Sequence, residues 1–212
     1  MSELRVVVVD DQDLIRSGLV ALLDGRDGIE VVGEAGDGTA GVDLVRRTQP
    51  DVALIDIRMP GLNGIEAIEQ IRADPLCRTR LMVLTTFDLD EYVVAALRGG
   101  ADAFVLKNTP VDELCRCIQA VAAGDAYLSP SVTRRVVEEF AARPTTAGPP
   151  APDLTPRESE VLALVCRGLT NKAVAGELHL GVETVKTYVG RLFQKYGVES
   201  RVALVIAASE RR

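Results

Sequence analysis

The stretch RVVVVDDQD, residues 5–13, runs four consecutive valines straight into two adjacent carboxylates, Asp10 and Asp11. Valines without polar alternation mark a strand buried on both faces, as in the middle of a parallel sheet. Two neighbouring carboxylates repel each other, so their pairing at a strand end calls for positive charge between them. A plainer reading makes Asp13 a helix N-cap and its neighbours turn residues. Taken alone, the stretch leaves both readings open.

Working outward, four further short apolar runs follow: IEVVGEA (29–35), DVALID (51–56), RLMVLTT (80–86) and DAFVLK (102–107). Amphipathic stretches separate them: LIRSGLVALLDG (14–25), GTAGVDLVRRT (38–48), GIEAIEQIRAD (64–74) and DEYVVAALRGG (90–100), with PVDELCRCIQAVAAG (110–124) after the last. Strand–helix alternation at this spacing predicts an α/β, doubly wound, five-stranded parallel sheet with helices on both faces. In such sheets the ligand site lies beyond the carboxyl ends of the strands. The first strand ends at Asp10 and Asp11, the third at Asp56, the fourth at Thr85 and the fifth at Lys107. Three carboxylates on one rim suit a hard divalent cation, and Mg²⁺ takes oxygen ligands. An added ammonium and hydroxyl complete the equipment for holding a phosphoryl group. Each residue singly is an ordinary polar strand terminus, but all five together are not.

The 212 residues contain 47% hydrophobic side chains, enough for a real core in one large or two small domains. The longest run free of polar residues, Val202 to Ala208, is too short to span a bilayer, and Val6 to Val9 is too short for a secretory signal. Cys77, Cys115, Cys117 and Cys166 form no CxxC pair, and a single histidine speaks against zinc. Reduced thiols in a cytoplasmic protein are the expectation. Four of the ten prolines crowd into RPTTAGPPAPD, residues 143–153, which reads as an extended linker. Charge shifts across it: residues 1–128 hold 12 basic and 22 acidic side chains, residues 153–212 hold 9 and 7. The expected division is 1–125, a connecting helix and linker over 126–152, and a mildly basic unit over 153–212.

GDGTAG, residues 36–41, matches GxGxxG literally, but it sits at the second strand-to-helix turn, whereas a dinucleotide fingerprint belongs to the first. It reads as a tight turn. DQDL, residues 11–14, resembles the DxD of aspartyl-phosphate phosphatases. Those place their nucleophile on the first strand, which the position of Asp56 disfavours.

Beyond the linker, LTPRESEVLALVCRG (154–168) opens with a capping box, Thr155 and Glu158, with Pro156 at the first helical position. LTNKAVAGELHLGVETVKTYVGRLFQKYGV (169–198) then predicts two helices, about 171–178 after a Thr170 cap and about 182–196. In the second, Val185, Val189, Leu192, Phe193 and Tyr196 share a face, opposite Thr184, Lys186, Thr187, Arg191 and Lys195. Such a cationic, hydrogen-bonding face suits a DNA major groove. His179, in the turn between the helices, reads as a surface residue.

Asp10–Asp11, Asp56 followed by MPG, Thr85 and Lys107 resemble the receiver domain of two-component response regulators over about the first 125 residues. LTPRE, GLTNKAVA and TVKTYV resemble the LuxR-type helix-turn-helix from Leu154 to about Ala208, so the whole chain resembles the NarL/FixJ class. The resemblance implies that Asp56 accepts a phosphoryl group from a sensor histidine kinase. It implies that Asp10, Asp11, Asp56 and the backbone carbonyl of Arg58 hold Mg²⁺. Thr85 and Lys107 would contact the phosphoryl oxygens, and Phe104 would be an aromatic switch that turns inward. Lys186 and Thr187 would face base edges, while Lys172, Thr184 and Arg191, with Lys195 on the same face, would meet the DNA backbone. A phosphorylation-dependent homodimer on two half-sites of double-stranded DNA follows, with no membrane role. Tyr188 stands where the family often has His, Gly181 replaces the usual Ser cap, and Gly190 offers no side chain to a base. The rival reading is a Mg²⁺-dependent phosphatase with the helical tail as an oligomerisation module.

Overall fold

The computed structural model describes residues 3–86, 90–125, 127–128, 152–198 and 200–209. The strands β1 (Leu4–Val9), β2 (Ile29–Ala35), β3 (Val52–Asp56), β4 (Arg80–Thr85) and β5 (Ala103–Leu106) fall on the five apolar runs. A sixth, β6 (Tyr127–Leu128), was not anticipated. It adds two residues to the edge of β5, too short a piece to leave a periodic signal. All neighbours are parallel, in the order β2-β1-β3-β4-β5-β6. Of the connecting segment expected over 126–152, Tyr127–Leu128 forms this strand and residues 129–151 lie outside the described residues.

The valine run behaves as its composition dictates. Val6 to Val9 are at most 1% exposed, and alternate residues serve opposite faces. Val7 and Val9 pack with Ala53 and Ile55 under α2 (Gly38–Thr48), α3 (Gly64–Arg72) and α4 (Asp90–Arg98). Val6 and Val8 pack with Leu54 and Met82 against α1 (Asp13–Leu23) and α5 (Val111–Ala122). Cys115 and Cys117, neither in a disulfide, are core residues of α5.

Local chemistry sets the helix starts. GDGTAG is a turn: Asp37 caps α2 by accepting from the Ala40 amide at 2.8 Å. Gly38 fits there because a Cβ would stand 2.1 Å from the Leu62 carbonyl oxygen. Asp13 corrects the plainer reading of the opening stretch, since the cap of α1 is Gln12 and Asp13 lies inside the first turn, paired with Arg16.

The C-terminal unit contains α6 (Pro156–Cys166), α7 (Asn171–Leu178), α8 (Val182–Tyr196) and α9 (Arg201–Ser209). The capping box is formed, Thr155 and Glu158 each serving the other's backbone N–H. Val185, Val189, Leu192 and Tyr196 bury one face of α8 against α6, α7 and α9. The two units touch: Val202 and Ile206 of α9 join the apolar cluster that holds Ala96 and Leu97 of α4.

Two glycines test this packing in opposite directions. A Cβ at Gly64 would lie 2.1 Å from the Asp56 carbonyl oxygen and 2.9 Å from Ile57 Cα, both rigid backbone. Gly64→Ala should therefore destabilise the sheet unit by about 2–3 kcal/mol. A Cβ at Gly190 meets nothing within 4 Å, so Gly190→Ala should stabilise the helical unit by up to about 1 kcal/mol. Urea titration checks both; an unchanged midpoint for Gly64→Ala would contradict the close approach behind Asp56.

Candidate functional site

Parallel pairing brings the strand ends to one rim. Val9 pairs with Ile55, Asp56 with Leu84 and Thr85 with Leu106, so the residues at the ends of β1, β3, β4 and β5 converge. Lys107 Nζ donates to Asp56 Oδ2 at 2.9 Å and makes an ion-pair contact with Asp10 Oδ2 at 2.6 Å. This ammonium bridges Asp10 and Asp56. Carboxylate oxygens of Asp10, Asp11 and Asp56 lie within 4.8 Å of one another. Asp10, Asp56 and Thr85 are 1%, 3% and 2% exposed, and Asp11 is half-buried.

One cation against three carboxylates leaves an excess of two negative charges. At an effective dielectric of about 20, two carboxylates at this separation repel by roughly 3 kcal/mol. Burial raises the Asp56 carboxyl above its ordinary pKa, and Lys107 offsets this in part. For Lys107 burial acts downward, but the contacts with Asp10 and Asp56 outweigh it and hold the ammonium above its usual value. Asp11 Oδ1 is buried without a hydrogen-bond partner, and Asp10 Oδ2 has only the Lys107 ammonium beside it. Three carboxylates with oxygens this close, one of them unpartnered, are the donor set a hard divalent cation takes, so these residues fit Mg²⁺.

Arg58 lies in the loop two residues beyond Asp56. The Thr85 hydroxyl donates to the Thr86 carbonyl at 3.2 Å, and the Lys107 amide donates to the Thr85 carbonyl at 2.7 Å, tying β4 to β5 at the rim. Phe104 is 1% exposed within the cluster that contains Ala96 and Leu97, so in this conformation its ring lies inward. Arg16 was not singled out in the sequence. Its guanidinium donates to the Asp10 carbonyl at 2.7 Å and pairs with Asp13 at 2.5 Å, bracing the loop that carries Asp10 and Asp11.

On the helical unit, Lys172, Thr184, Thr187 and Arg191 are exposed and Lys186 is half-buried, paired with Glu183 at 2.9 Å. Arg191 lies over the Tyr188 ring, 5.7 Å from its centroid. Lys195 is committed elsewhere: its ammonium donates to the Asp153 carbonyl at 2.9 Å and to Glu158 at 2.7 Å. Lys195, with the Thr155 amide, lowers the Glu158 carboxyl to about 2. Exposure by periodicity was right for Lys195, but this ion pair with the start of α6 has no signature in the pattern. His179 is an exposed, left-handed C-cap of α7.

Part of the basic face of α8 borders the sheet unit. Lys186, Thr187 and Arg191 line a cleft whose other wall is Arg72, Arg78 and Arg80 of the sheet unit. A polar cluster closes one end: Asp125 accepts from the Asn171 amide at 2.7 Å, the Asn171 side chain donates to the Gly124 carbonyl at 3.3 Å, and Arg201 donates to Asn171 Oδ1 at 2.8 Å. Asn171 and Arg201 are 3% and 5% exposed. Sequence reading missed Asp125, Asn171, Arg201, Val202 and Ile206, because contacts between units carry no local periodicity.

Residues 6–119 match the family model of the response regulator receiver domain, and residues 152–208 match bacterial regulatory proteins of the luxR family. The probable transcriptional regulatory protein NarL of Mycobacterium tuberculosis is 39% identical, covering 99% of this chain and 95% of that protein. The transcriptional regulatory protein LiaR of Bacillus subtilis is 36% identical, covering 97% and 96%. Among solved structures, the response regulator ChrA of a heme-sensing two-component system is 31% identical with a TM-score of 0.56, covering 100% of this chain and 99% of that one. The RcsB response regulator of Salmonella typhimurium is 28% identical with a TM-score of 0.59, covering 99% of each chain. None of these supports the phosphatase reading. Among the described residues no helix is long and apolar enough to cross a membrane.

The carboxylate cluster generates a pH and metal prediction. A carboxyl raised above 3.8 binds its proton more tightly in the fold than in the unfolded chain. Its ionisation therefore costs stability that appears as pH rises through the raised value. The stability of Asp56→Asn relative to wild type should grow as pH rises above about 4 without metal. Added Mg²⁺ should raise the melting temperature of wild type and leave Asp11→Asn nearly unmoved. Thermal unfolding across pH and Mg²⁺ concentration checks both, and an equal Mg²⁺ response in the two proteins would contradict the site.

Proposed function

The chain belongs to the response regulators that join a receiver domain to a LuxR-type DNA-binding domain, and from that membership we propose that phosphorylation of Asp56 controls its affinity for DNA. The observation that carries this reading is Lys107, placed between Asp10 and Asp56 inside the three-carboxylate cluster. The two units are taken as residues 1–125 and 153–212.

A sensor histidine kinase supplies the phosphoryl group. A carboxylate oxygen of Asp56 attacks phosphorus, the P–N bond to the kinase imidazole breaks, and the ring leaves with a proton. Mg²⁺, held by Asp10, Asp11, Asp56 and the Arg58 carbonyl, would neutralise the oxygens that gather charge. Lys107 is already 2.9 Å from Asp56 and can follow the new anion, loosening its contact with Asp10. The Thr85 hydroxyl, engaged with the Thr86 carbonyl, can rotate toward the phosphoryl oxygens. Because Thr85 and Lys107 are the last residues of β4 and the first beyond β5, their movement pulls on the rim from which α4 departs.

The consequence runs through α4. Its Ala96 and Leu97 pack with Val202 and Ile206 of α9, so a shift of α4 weakens the hold on the helical unit. The freed α8 then enters the major groove, with Lys186 and Thr187 toward base edges and Lys172, Thr184 and Arg191 toward phosphates. Lys195 takes no part, since it braces Glu158. A unit with so few cationic contacts gains from pairing, and a homodimer on two half-sites of double-stranded DNA supplies it. A structure of RcsB, 25% identical to this chain, holds dimers on DNA, which supports the pairing. The protein works in the cytoplasm, as a regulator and not as an enzyme.

Beryllofluoride with Mg²⁺, which mimics the acyl phosphate, should tighten binding to a two-half-site fragment by about 5- to 150-fold, the span of ordinary allosteric couplings. Fluorescence anisotropy with wild type, Asp56→Asn and Lys107→Ala measures this. Both variants should lose the gain, and activation of Asp56→Asn equal to wild type would move the switch elsewhere.

A further inference from the structure

The cleft between the receiver and α8 has a volume of about 980 Å³. Arg72, Arg78 and Arg80 line one side, Lys186 and Arg191 line the other, and Asp74 is a carboxylate on its wall. Arg72 is fixed: its guanidinium donates to the carbonyls of Gly100 at 2.9 Å and Thr79 at 3.0 Å and also pairs with Asp102. Arg80 shares that same carboxylate at 3.1 Å, and Lys186 pairs with Glu183. Five cations therefore stand against three carboxylates, Asp74, Asp102 and Glu183, an excess of two positive charges. Arg78 is exposed and makes no ion pair or hydrogen bond with a described residue, while Arg191 rests on a tyrosine ring.

This arrangement is the reverse of what simple masking would need. A receiver that covered a DNA-reading helix by imitating DNA would offer it carboxylates. Residues 1–128 carry 22 acidic against 12 basic side chains, so carboxylates are abundant there. Instead the wall facing α8 is built of arginines, and like charges across a cleft oppose closure. Guanidinium groups on both walls match the oxygens of phosphate groups, which accept from several N–H donors at once. The volume falls within the usual range for small-ligand sites.

We propose that this cleft binds a small polyphosphate anion, which bridges Arg78 and Arg80 of the receiver to Lys186 and Arg191 of α8 and holds the two domains closed. The anion and DNA compete for the same two side chains of α8. The site thus adds a second, ligand-dependent control, which opposes the opening that phosphorylation at Asp56 drives.

The test is calorimetric titration of the unphosphorylated full-length chain with sodium tripolyphosphate, without Mg²⁺ and at fixed ionic strength. It needs neither DNA nor phosphorylation, so its outcome stands apart from that of the regulatory reading. One saturable site per chain is expected, weakened about tenfold by Arg78→Gln and equally by Arg191→Gln. Sulfate at matched ionic strength should give no saturation. Both substituted positions are exposed, and an unchanged melting curve verifies that each variant is folded. Absence of saturable binding would overturn the proposal. So would loss of binding in Arg191→Gln with full binding in Arg78→Gln, which would place the anion on the DNA-reading face alone.

Discussion

The ammonium of Lys107 lies 2.6 Å from Asp10 and 2.9 Å from Asp56, inside a cluster of three carboxylates that it cannot neutralise. The fold around it is arranged to tolerate this imbalance. Strands whose valines are at most 1% exposed supply the burial, at roughly 1.5–3 kcal/mol for each large side chain. The braces are backbone and charge: Gln12 N–H donates to Asp10 Oδ1 at 2.9 Å, and Arg16 holds the Asp10 carbonyl. Gly64 lets the start of α3 sit directly behind Asp56. A site held under electrostatic strain responds to any added charge, and a phosphoryl group on Asp56 is such a charge.

The second constraint is the contact between the two units. It combines a small apolar patch, Val202 and Ile206 against α4, with a buried polar cluster of Asp125, Asn171 and Arg201. Burial lowers the Arg201 guanidinium from its usual value, and Asp125 partly restores it. Polar clusters of this kind specify one geometry and tolerate little displacement, because a broken member leaves a buried group unpaired. A shift of α4 that disturbs this packing therefore has a discrete outcome, closed or open.

The sequence carried the receiver in unusual completeness. β1, β3, β4 and β5 each end at or just before a polar residue of the rim, so apolar runs and the polar residues that close them located Asp10, Asp11, Asp56, Thr85 and Lys107 together. Helix bounds were equally legible where a cap marked them, as at Thr155 and Thr170. What escaped was tertiary. Lys195 has the periodicity of a DNA-facing residue, yet its reach to Glu158 depends on how α6 packs. Phe104 matched a switch position, but its burial follows from α4 lying over β5. Asn171 read as the first residue of a helix, and nothing local said that its amide would be satisfied by Asp125 from the other unit.

The central claim is that charge at Asp56 governs whether the helical unit stays docked. Hydrogen exchange reads this at the contact itself, since the Asn171 amide donates across the boundary to Asp125. With beryllofluoride and Mg²⁺, protection at Asn171 and along α9 should fall in the wild-type chain and stay unchanged in Asp56→Asn. Protection that holds or rises in the wild type under the same conditions would contradict the account.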